Sequence, residues 1–345
     1  MADTMLLKEL CAIPGVSGAE ELVRERIRKE IEPYADSILV TPLGSLIAEK
    51  RGKARAKTKL MLDAHMDEVG FIVTHVGDAG LLKFSTVGGI TGFVMCGRPV
   101  VVCTEKGNLP GVIGAKPIHL LKDGERDELV PVKDLYIDIG AENGEEARQY
   151  VLPGDRVVFA SPWDESRGMI RGRALDDRAG CAILIGMMQQ ELEYDMTFVF
   201  STQEETGLDG ARTASYTVQP QAAIVVESTT AADVAGVPED RQVCRVGQGP
   251  VLSFMDRHTV YDREMFRLAL ETAREEGIPC QVKQAVAGGN NAGSISVSRG
   301  GVRTAAVSLA CRYLHSPIGL ISRSDFDHAA ALVKALAEKV AGGAV

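Results

Sequence analysis

The feature that most restricts the fold is a change of rhythm after Gly172. From there, short apolar runs alternate with stretches at helical spacing. The spacing predicts helices over 177–193, 209–216, 262–276, 292–299 and 324–341. Between them it predicts strands at 196–202, 222–227, 250–254, 279–284 and 303–309. Alternation of this kind implies an α/β sheet covered by helices on both faces. The earlier run KLMLDAH (59–65) is equally apolar and is assigned to the same sheet.

The stretch from Gly70 to about Ser161 reads differently. Glycine is frequent, and the apolar runs are short: FIVTHV, LLKFSTV, FVMCGRPVVVC, GVIG, DLYIDIG and RVVFA. Turn signals separate them, with one short helix expected near 145–149. This is the pattern of a small all-β module. The expected organisation is an α/β domain built from 1–69 and 163–345, with 70–162 inserted as a β domain. Near the start, MADTMLLKEL reads as a helix, and SILVT (37–41) and SLIAE (45–49) read as strands. Ser17-Gly-Ala-Glu20 has the form of a capping box. The helix it would open carries Leu22, Ile27 and Ile31 on one face and ends near Pro33.

Composition narrows the classes of function. The 345 residues carry 47 acidic and 38 basic side chains, a net charge of −9. That argues against a general binder of nucleic acid or anionic membrane. No apolar run is long enough to span a bilayer, and the N-terminus lacks the pattern of a secretory signal. The seven cysteines are odd in number and scattered, with no CxxC. They read as reduced thiols of a cytoplasmic protein.

Ligands of open α/β sheets collect at the carboxyl ends of the strands. His65 and Asp67 follow KLMLDA, Glu204 and Glu205 follow TFVFST, and Glu227 follows AAIVV. His315 follows TAAVSLACRYL, and Asp176 and Asp177 open the helix after GRAL. Each residue has an ordinary structural explanation. A strand-ending histidine is usually hydrogen-bonded, aspartates before a helix are usually N-caps, and paired glutamates at a turn are usually solvated. Those explanations give no reason for all of them to share one sheet edge.

Histidine and carboxylate donors without thiolates suit zinc, cobalt or manganese at a catalytic site. Asp67 is placed to orient His65, because a ligating imidazole commonly donates its other N–H to a carboxylate. Asp176 is the candidate bridge of a two-metal centre. Two metals roughly 3.5–4 Å apart can activate water and polarise a carbonyl, with one unligated carboxylate as general base.

An ordered set of motifs over nearly the whole chain resembles one family. The motifs are LDAHMDEVGFIV (62–73), GVIGAKPIHLL (111–121), DLYIDIGA (134–141), GRALDDRAGC (172–181), STQEETGLDGAR (201–212), RGG (299–301) and RYLHSP (312–317). They are similar to those of the TET-type dinuclear metallo-aminopeptidases of peptidase clan MH, some relatives of which are labelled endoglucanase. The resemblance implies a zinc-peptidase-like fold, a mixed α/β sheet interrupted by a β domain that makes oligomer contacts. It implies His65, Asp176 and Glu227 on one metal, and Asp176, Glu205 and His315 on a second. Glu204 becomes the general base and Asp67 the support for His65. The metals are zinc or cobalt, with manganese a further candidate. The partners are peptides and copies of the same chain, in dimer-based assemblies up to a tetrahedral dodecamer.

Two positions depart from the family pattern. Glu227 stands where many relatives carry aspartate. Asn290-Asn291 stands where relatives tend to have Thr-Asp, which bears on substrate preference, since no assigned ligand is lost.

The expected activity is removal of N-terminal residues from peptides. A glycosidase using the glutamate pair is the alternative, but a single tryptophan and 5% aromatic residues supply few sugar-stacking platforms. A non-catalytic metal-binding scaffold is the third class. There is no GxSxG, and GGNNAG (288–293) lacks the Lys-Ser/Thr ending of a phosphate loop. Cys181 reads as a buried thiol. His75, His258 and His328 have no evident chemical partner in sequence, and His119 reads as structural or interfacial.

Overall fold

The computed structural model describes residues 3–122, 124 and 128–345. The chain opens with helices α1 (Thr4–Ala12) and α2 (Glu21–Ile31) and strands β1 (Ser37–Val40), β2 (Leu46–Lys50) and β3 (Leu60–His65). Six strands follow: β4 (Gly70–Val76), β5 (Leu82–Val87), β6 (Pro99–Thr104), β7 (Gly107–Gly114), β8 (Tyr136–Asp138) and β9 (Arg156–Phe159), with α3 (Gly144–Ala147) between the last two. Then come β10 (Asp164–Ser166), β11 (Met169–Gly172), α4 (Leu175–Met188), β12 (Met196–Ser201), α5 (Asp209–Val218) and β13 (Ala222–Thr230). The chain finishes with β14 (Val251–Leu252), α6 (Arg263–Glu275), β15 (Gln281–Val282), α7 (Ala292–Ser296), β16 (Arg303–Cys311), β17 (Gly319–Ser322) and α8 (Arg323–Ala341).

The large sheet has the order β1-β2-β12-β3-β13-β16-β14-β15. Its centre, β12, β3, β13 and β16, is parallel. Antiparallel pairs at β2 and β14 make it mixed, in agreement with the fold class read from sequence. Every residue of β3 and β12 is buried, which explains why those runs are apolar throughout rather than alternating. Alternation survives as a choice of face. Leu60, Leu62 and Ala64 pack with α1, α2, α4 and α8, while Met61 packs with α5 and α7 on the other side. Helix α8 buries Phe326, Ala329, Val333, Leu336, Ala337 and Val340, the three- and four-residue spacing of one helical face.

Strands β4 to β9 close into a barrel with its own core. Phe71 sits edge-on to Phe84 and Phe159, with ring centroids 5.1 Å apart in both pairs. A three-stranded sheet, β10-β11-β17, pairs the two strands that follow the barrel in the chain with the strand that leads into α8. All seven cysteines are free. Among the described residues no helix is long and apolar enough to cross a membrane.

Several local expectations change. The helix expected over 177–193 ends at Met188, and the strands expected at 250–254 and 279–284 shrink to residue pairs. The capping box is not formed: α2 has no side-chain cap, and Leu22 is 66% exposed while Val23 takes its place in the core. The motif is used elsewhere. Ser17 Oγ donates to Asp67, and Glu20 Oε1 accepts from the backbone N–H of Gly18 and of Gln203. Glu20 thereby ties the start of α2 to the Glu204–Glu205 turn.

Burial raises the Glu20 carboxyl from 4.5 to about 7, against the pull of the Gly18 N–H. Between those values the folded state holds a proton that the unfolded state has lost. Glu20 therefore makes stability fall as pH rises from 4.5 to about 7. Glu20→Gln should flatten the slope of unfolding free energy against pH across that window, measured by urea unfolding. An unchanged slope would contradict this account of Glu20.

Candidate metal centre

The parallel strands deliver the candidate donors to one edge. His65 is the last residue of β3, paired in register with Ser201, the last residue of β12. Glu204 and Glu205 follow three and four residues after Ser201. On the other side of β3, Val225 pairs with Asp63, so Glu227 lies level with His65. His315 comes from the loop after β16, and Asp176 from the first turn of α4. Ala174, Gln203 and His315 all have left-handed backbone, with φ of 54°, 56° and 56°. Non-glycine residues pay for that conformation, and it clusters where loops must aim side chains at a site.

The donor atoms converge. Those of His65, Asp176 and Glu227 lie within 4.8 Å of one another, as do those of Asp176, Glu205 and His315. Asp176 belongs to both groups: Oδ1 is 3.4 Å from His65 Nε2, and Oδ2 is 3.4 Å from His315 Nε2. Glu227 Oε1 is 3.4 Å from His65 Nε2, and Glu205 Oε2 is 3.2 Å from His315 Nε2. Glu204 joins His65 and Glu205 in a third such group. Both imidazoles are held from behind. His65 Nδ1 lies 3.1 Å from the Asp67 carbonyl oxygen, and His315 Nδ1 lies 3.1 Å from that of Gly89, in the barrel. Each Nε2 is left facing the carboxylates.

Asp67 is fully buried and holds the floor of the site. Its Oδ1 accepts from Glu204 N–H at 3.0 Å and lies 3.3 Å from His65 Nδ1. Its Oδ2 accepts from Glu205 N–H at 3.1 Å and from Ser17 Oγ at 2.6 Å. One carboxylate thus positions the histidine and both glutamates.

The residues fit divalent cations. Burial pushes the Glu204 and Glu205 carboxyls up, and raises Glu227 to about 8. Burial opposes charge on His315, yet the Asp176 and Glu205 carboxylates raise its pKa to about 11. The cluster therefore recruits protons as its positive charge. A cation would take over that role and keep the carboxylates ionised. Asp176 Oδ1 and Glu227 Oε2 are buried with no hydrogen-bond partner. Two imidazoles and carboxylate oxygens, without thiolate, form a donor set for zinc, cobalt or manganese.

Behind this layer stands a buried ion cluster that sequence reading missed. Glu68, next to Asp67, pairs with Arg173, lies 3.5 Å from Arg178 Nη2 and accepts from Gly15 N–H at 3.0 Å. Arg178 is fully buried and also donates to the Leu10 carbonyl. The two arginines flank the Asp176–Asp177 turn in GRALDDR and fix it to the end of β3. Two arginines around an aspartate pair were a visible signal. Gly89 gave none, since its contact with His315 spans 226 positions.

Glu227 lies among the donors, as the resemblance implies. The other departure has a structural setting. Asn291 is fully buried, and its Nδ2 donates to Asp63 at 2.8 Å and to Ser201 at 2.9 Å. An aspartate there would set two buried carboxylates together. Asn290, which donates to Tyr261 Oη, is the member of the pair that lines the cleft.

The cleft above the donors has a volume of about 730 Å³. Gly89, Thr91 and Val94 of the barrel form one wall, and Tyr313, Leu314 and Ile318 contribute to another.

A mixed α/β fold with histidines and carboxylates gathered at its strand ends has the donor arrangement of a metal-dependent enzyme. Comparison with known proteins gives the family. The model of the M42 glutamyl aminopeptidase family matches residues 44–332. Lysyl aminopeptidase of Pyrococcus furiosus is 33% identical over 99% of this chain and 98% of its own. A TET aminopeptidase from the marine archaeon Thaumarchaeota archaeon SCGC AB-539-E09 superposes with a TM-score of 0.94, at 34% identity over 98% of this chain and 96% of that one. Pyrococcus horikoshii TET1 peptidase, described as assembling into a tetrahedron or a large octahedral shell, gives 0.85 at 36% identity over 97% and 98% of the chains. A Thermotoga maritima structure titled endoglucanase gives 0.81 at 36% identity over 97% of both. The chain belongs to the M42 aminopeptidase family and is a peptide hydrolase.

Glu68→Gln would leave two buried guanidinium groups without their counter-charge, which typically costs about 3–5 kcal/mol. Urea unfolding should register a loss of that order. A change below about 1 kcal/mol would mean that the cluster does not hold the Asp176 turn in place.

Proposed function

We propose that the protein is an aminopeptidase in which His65, Asp176 and Glu227 hold one divalent cation and Asp176, Glu205 and His315 hold a second, with zinc or cobalt preferred. The observation that carries this reading is the shared Asp176, whose two oxygens face the two histidines separately. Cations bound there would supply Lewis acidity, able to polarise a carbonyl and to lower the pKa of a water towards ~7.

Glu204 is the general base. Its backbone N–H is fixed on Asp67, and its side chain pairs with neither histidine, whereas Glu205 faces His315. Glu204 takes a proton from the attacking water onto its carboxylate and returns it to the leaving amine nitrogen. Burial raises its pKa, which suits a group that must accept and then release a proton. The substrate's α-ammonium is drawn to the carboxylate side of the cleft. Asp67 is a positioning residue that keeps His65 oriented and the glutamate turn in place. The glycosidase alternative needs two free carboxylates, and Glu205 is already engaged with His315.

The barrel is the proposed assembly domain, and a tetrahedral dodecamer the proposed assembly, with cytoplasmic residence. Similarity to the Pyrococcus horikoshii shell-forming peptidase supports it. So do the exposed apolar side chains Phe93, Val112, Leu120 and Leu129 on the barrel segment.

Glu204→Gln should lower kcat by about 10²–10⁴ while metal content stays at the wild-type value. Near-normal turnover would remove Glu204 from the base role, and loss of metal would exchange its role with that of Glu205. Light scattering on the wild type should give the mass of a dodecamer. A monomer at micromolar concentration would contradict the assembly.

A further inference from the structure

The loop that carries His315 is closed at its base. Arg312 and Leu320 exchange both backbone hydrogen bonds, at 2.9 and 3.0 Å, so positions 313–319 leave the strands and return to them at one point. Within the loop, Tyr313 and His315 have left-handed backbone, with φ of 60° and 56°. Non-glycine residues keep that conformation only where the surroundings impose it. Among the described residues, positions 313–318 make no backbone–backbone hydrogen bond. Side chains hold them instead. Ser316 Oγ donates to the Tyr313 carbonyl at 2.6 Å, and Ser161 Oγ donates to the carbonyl of Pro317.

The base itself is anchored by an ion pair. Arg312 Nε donates to Asp233 Oδ1 at 2.7 Å, and Nη2 donates to Oδ2 at 2.6 Å. A two-pronged pair fixes direction as well as distance. The Asp233 side chain is only 9% exposed, which sets this pair apart from the solvated surface pairs that contribute little. Asp233 Oδ2 also accepts from Val246 N–H at 3.0 Å. Burial opposes charge on Asp233, yet the Arg312 guanidinium holds its carboxyl below the usual range. Asp233 follows β13, the strand that carries Glu227. The β13–β16 ladder ends at Thr230 and Cys311, and Ala231 N–H then donates to the Cys311 carbonyl at 2.9 Å. The ion pair extends that tie past the last rung, just before the chain reaches His315. Neither of its members belongs to the donor cluster or lines the cleft.

We infer that Asp233, acting through Arg312, is a positioning residue for His315 and thereby sets the affinity of the second cation site. This rests on the two-cation reading of the donor cluster. The ion pair fixes where the loop departs, and the Gly89 carbonyl fixes the imidazole at its far end. Released at the base, the loop has no ladder to keep Tyr313 and His315 left-handed, and His315 Nε2 moves off Asp176 and Glu205. The first site takes His65, Asp176 and Glu227 from β3, α4 and β13, with no contribution from this loop. The effect is therefore confined to one of the two sites.

The test is a chelator titration of cobalt-loaded, full-length protein, with the visible absorption of bound cobalt reporting each equivalent as it leaves. Asp233→Ala should lose one of its two equivalents at a chelator concentration at least about tenfold lower than wild type, and should hold the other unchanged. Arg312→Ala should match it, and the double variant should be no weaker than either alone, because both remove one interaction. Arg312→Lys keeps the charge without the fork and should recover part of the loss. In a His315→Ala background, which retains the first site alone, Asp233→Ala should change nothing. Two equivalents weakened alike, or a loss in the His315→Ala background, would make the pair a general structural tie and overturn the inference. An Asp233→Ala protein that holds both equivalents as tightly as wild type overturns it too. In those cases the two-cation reading stands, whereas a wild type that binds fewer than two equivalents overturns both. If circular dichroism shows Asp233→Ala unfolded, Asp233→Asn carries the same comparison, with selective weakening expected and equal or absent weakening contradicting the inference.

Discussion

The structure of the site depends on one buried carboxylate. Asp67 receives the hydroxyl of Ser17 and the N–H groups of Glu204 and Glu205, and stands beside His65 Nδ1. It joins the segment before α2, the end of β3 and the turn after β12. Hydrogen bonds to an ionised group are stronger than neutral ones, and here several share one anion away from solvent. The adjacent Glu68 does the same work for the Asp176 turn through Arg173 and Arg178. Two consecutive acidic residues therefore fix most of the donor-bearing segments. One faces the site and the other faces the ion cluster behind it.

The remaining constraint is the parallel sheet. Because β12, β3, β13 and β16 run in one direction, their carboxyl ends open on one edge. The strand ends and loops there carry side chains that would be costly deeper in the sheet. The barrel contributes more than a cleft wall. Gly89 offers its carbonyl to His315, so a residue of the inserted segment sets the orientation of a histidine from the α/β part.

The sheet and the gathering of histidines and carboxylates at one of its edges were legible in the sequence for physical reasons. Strands buried on both faces are continuous apolar runs, and the central apolar runs were each followed within a few residues by a histidine or a carboxylate. The barrel was legible from its short runs and glycine-rich turns. The helix start at Ser17–Glu20 misled, because the same residue types that cap helices also bind distant carboxylates and amides. Short edge strands such as β14 and β15 were drawn too long, since apolar composition does not say where pairing stops. Gly89 and Glu68 act through contacts between distant segments, and no local pattern encodes those. Which glutamate does which task came from the resemblance. The geometry adds a reason, since Glu205 faces His315 and Glu204 pairs with neither histidine.

The proposed pair of cation sites sharing Asp176 can be read out by metal stoichiometry. Desalted, metal-replete protein should carry two equivalents of zinc or cobalt per chain, and His315→Ala should carry one. A single equivalent in the wild type, or two retained after His315→Ala, would contradict the account.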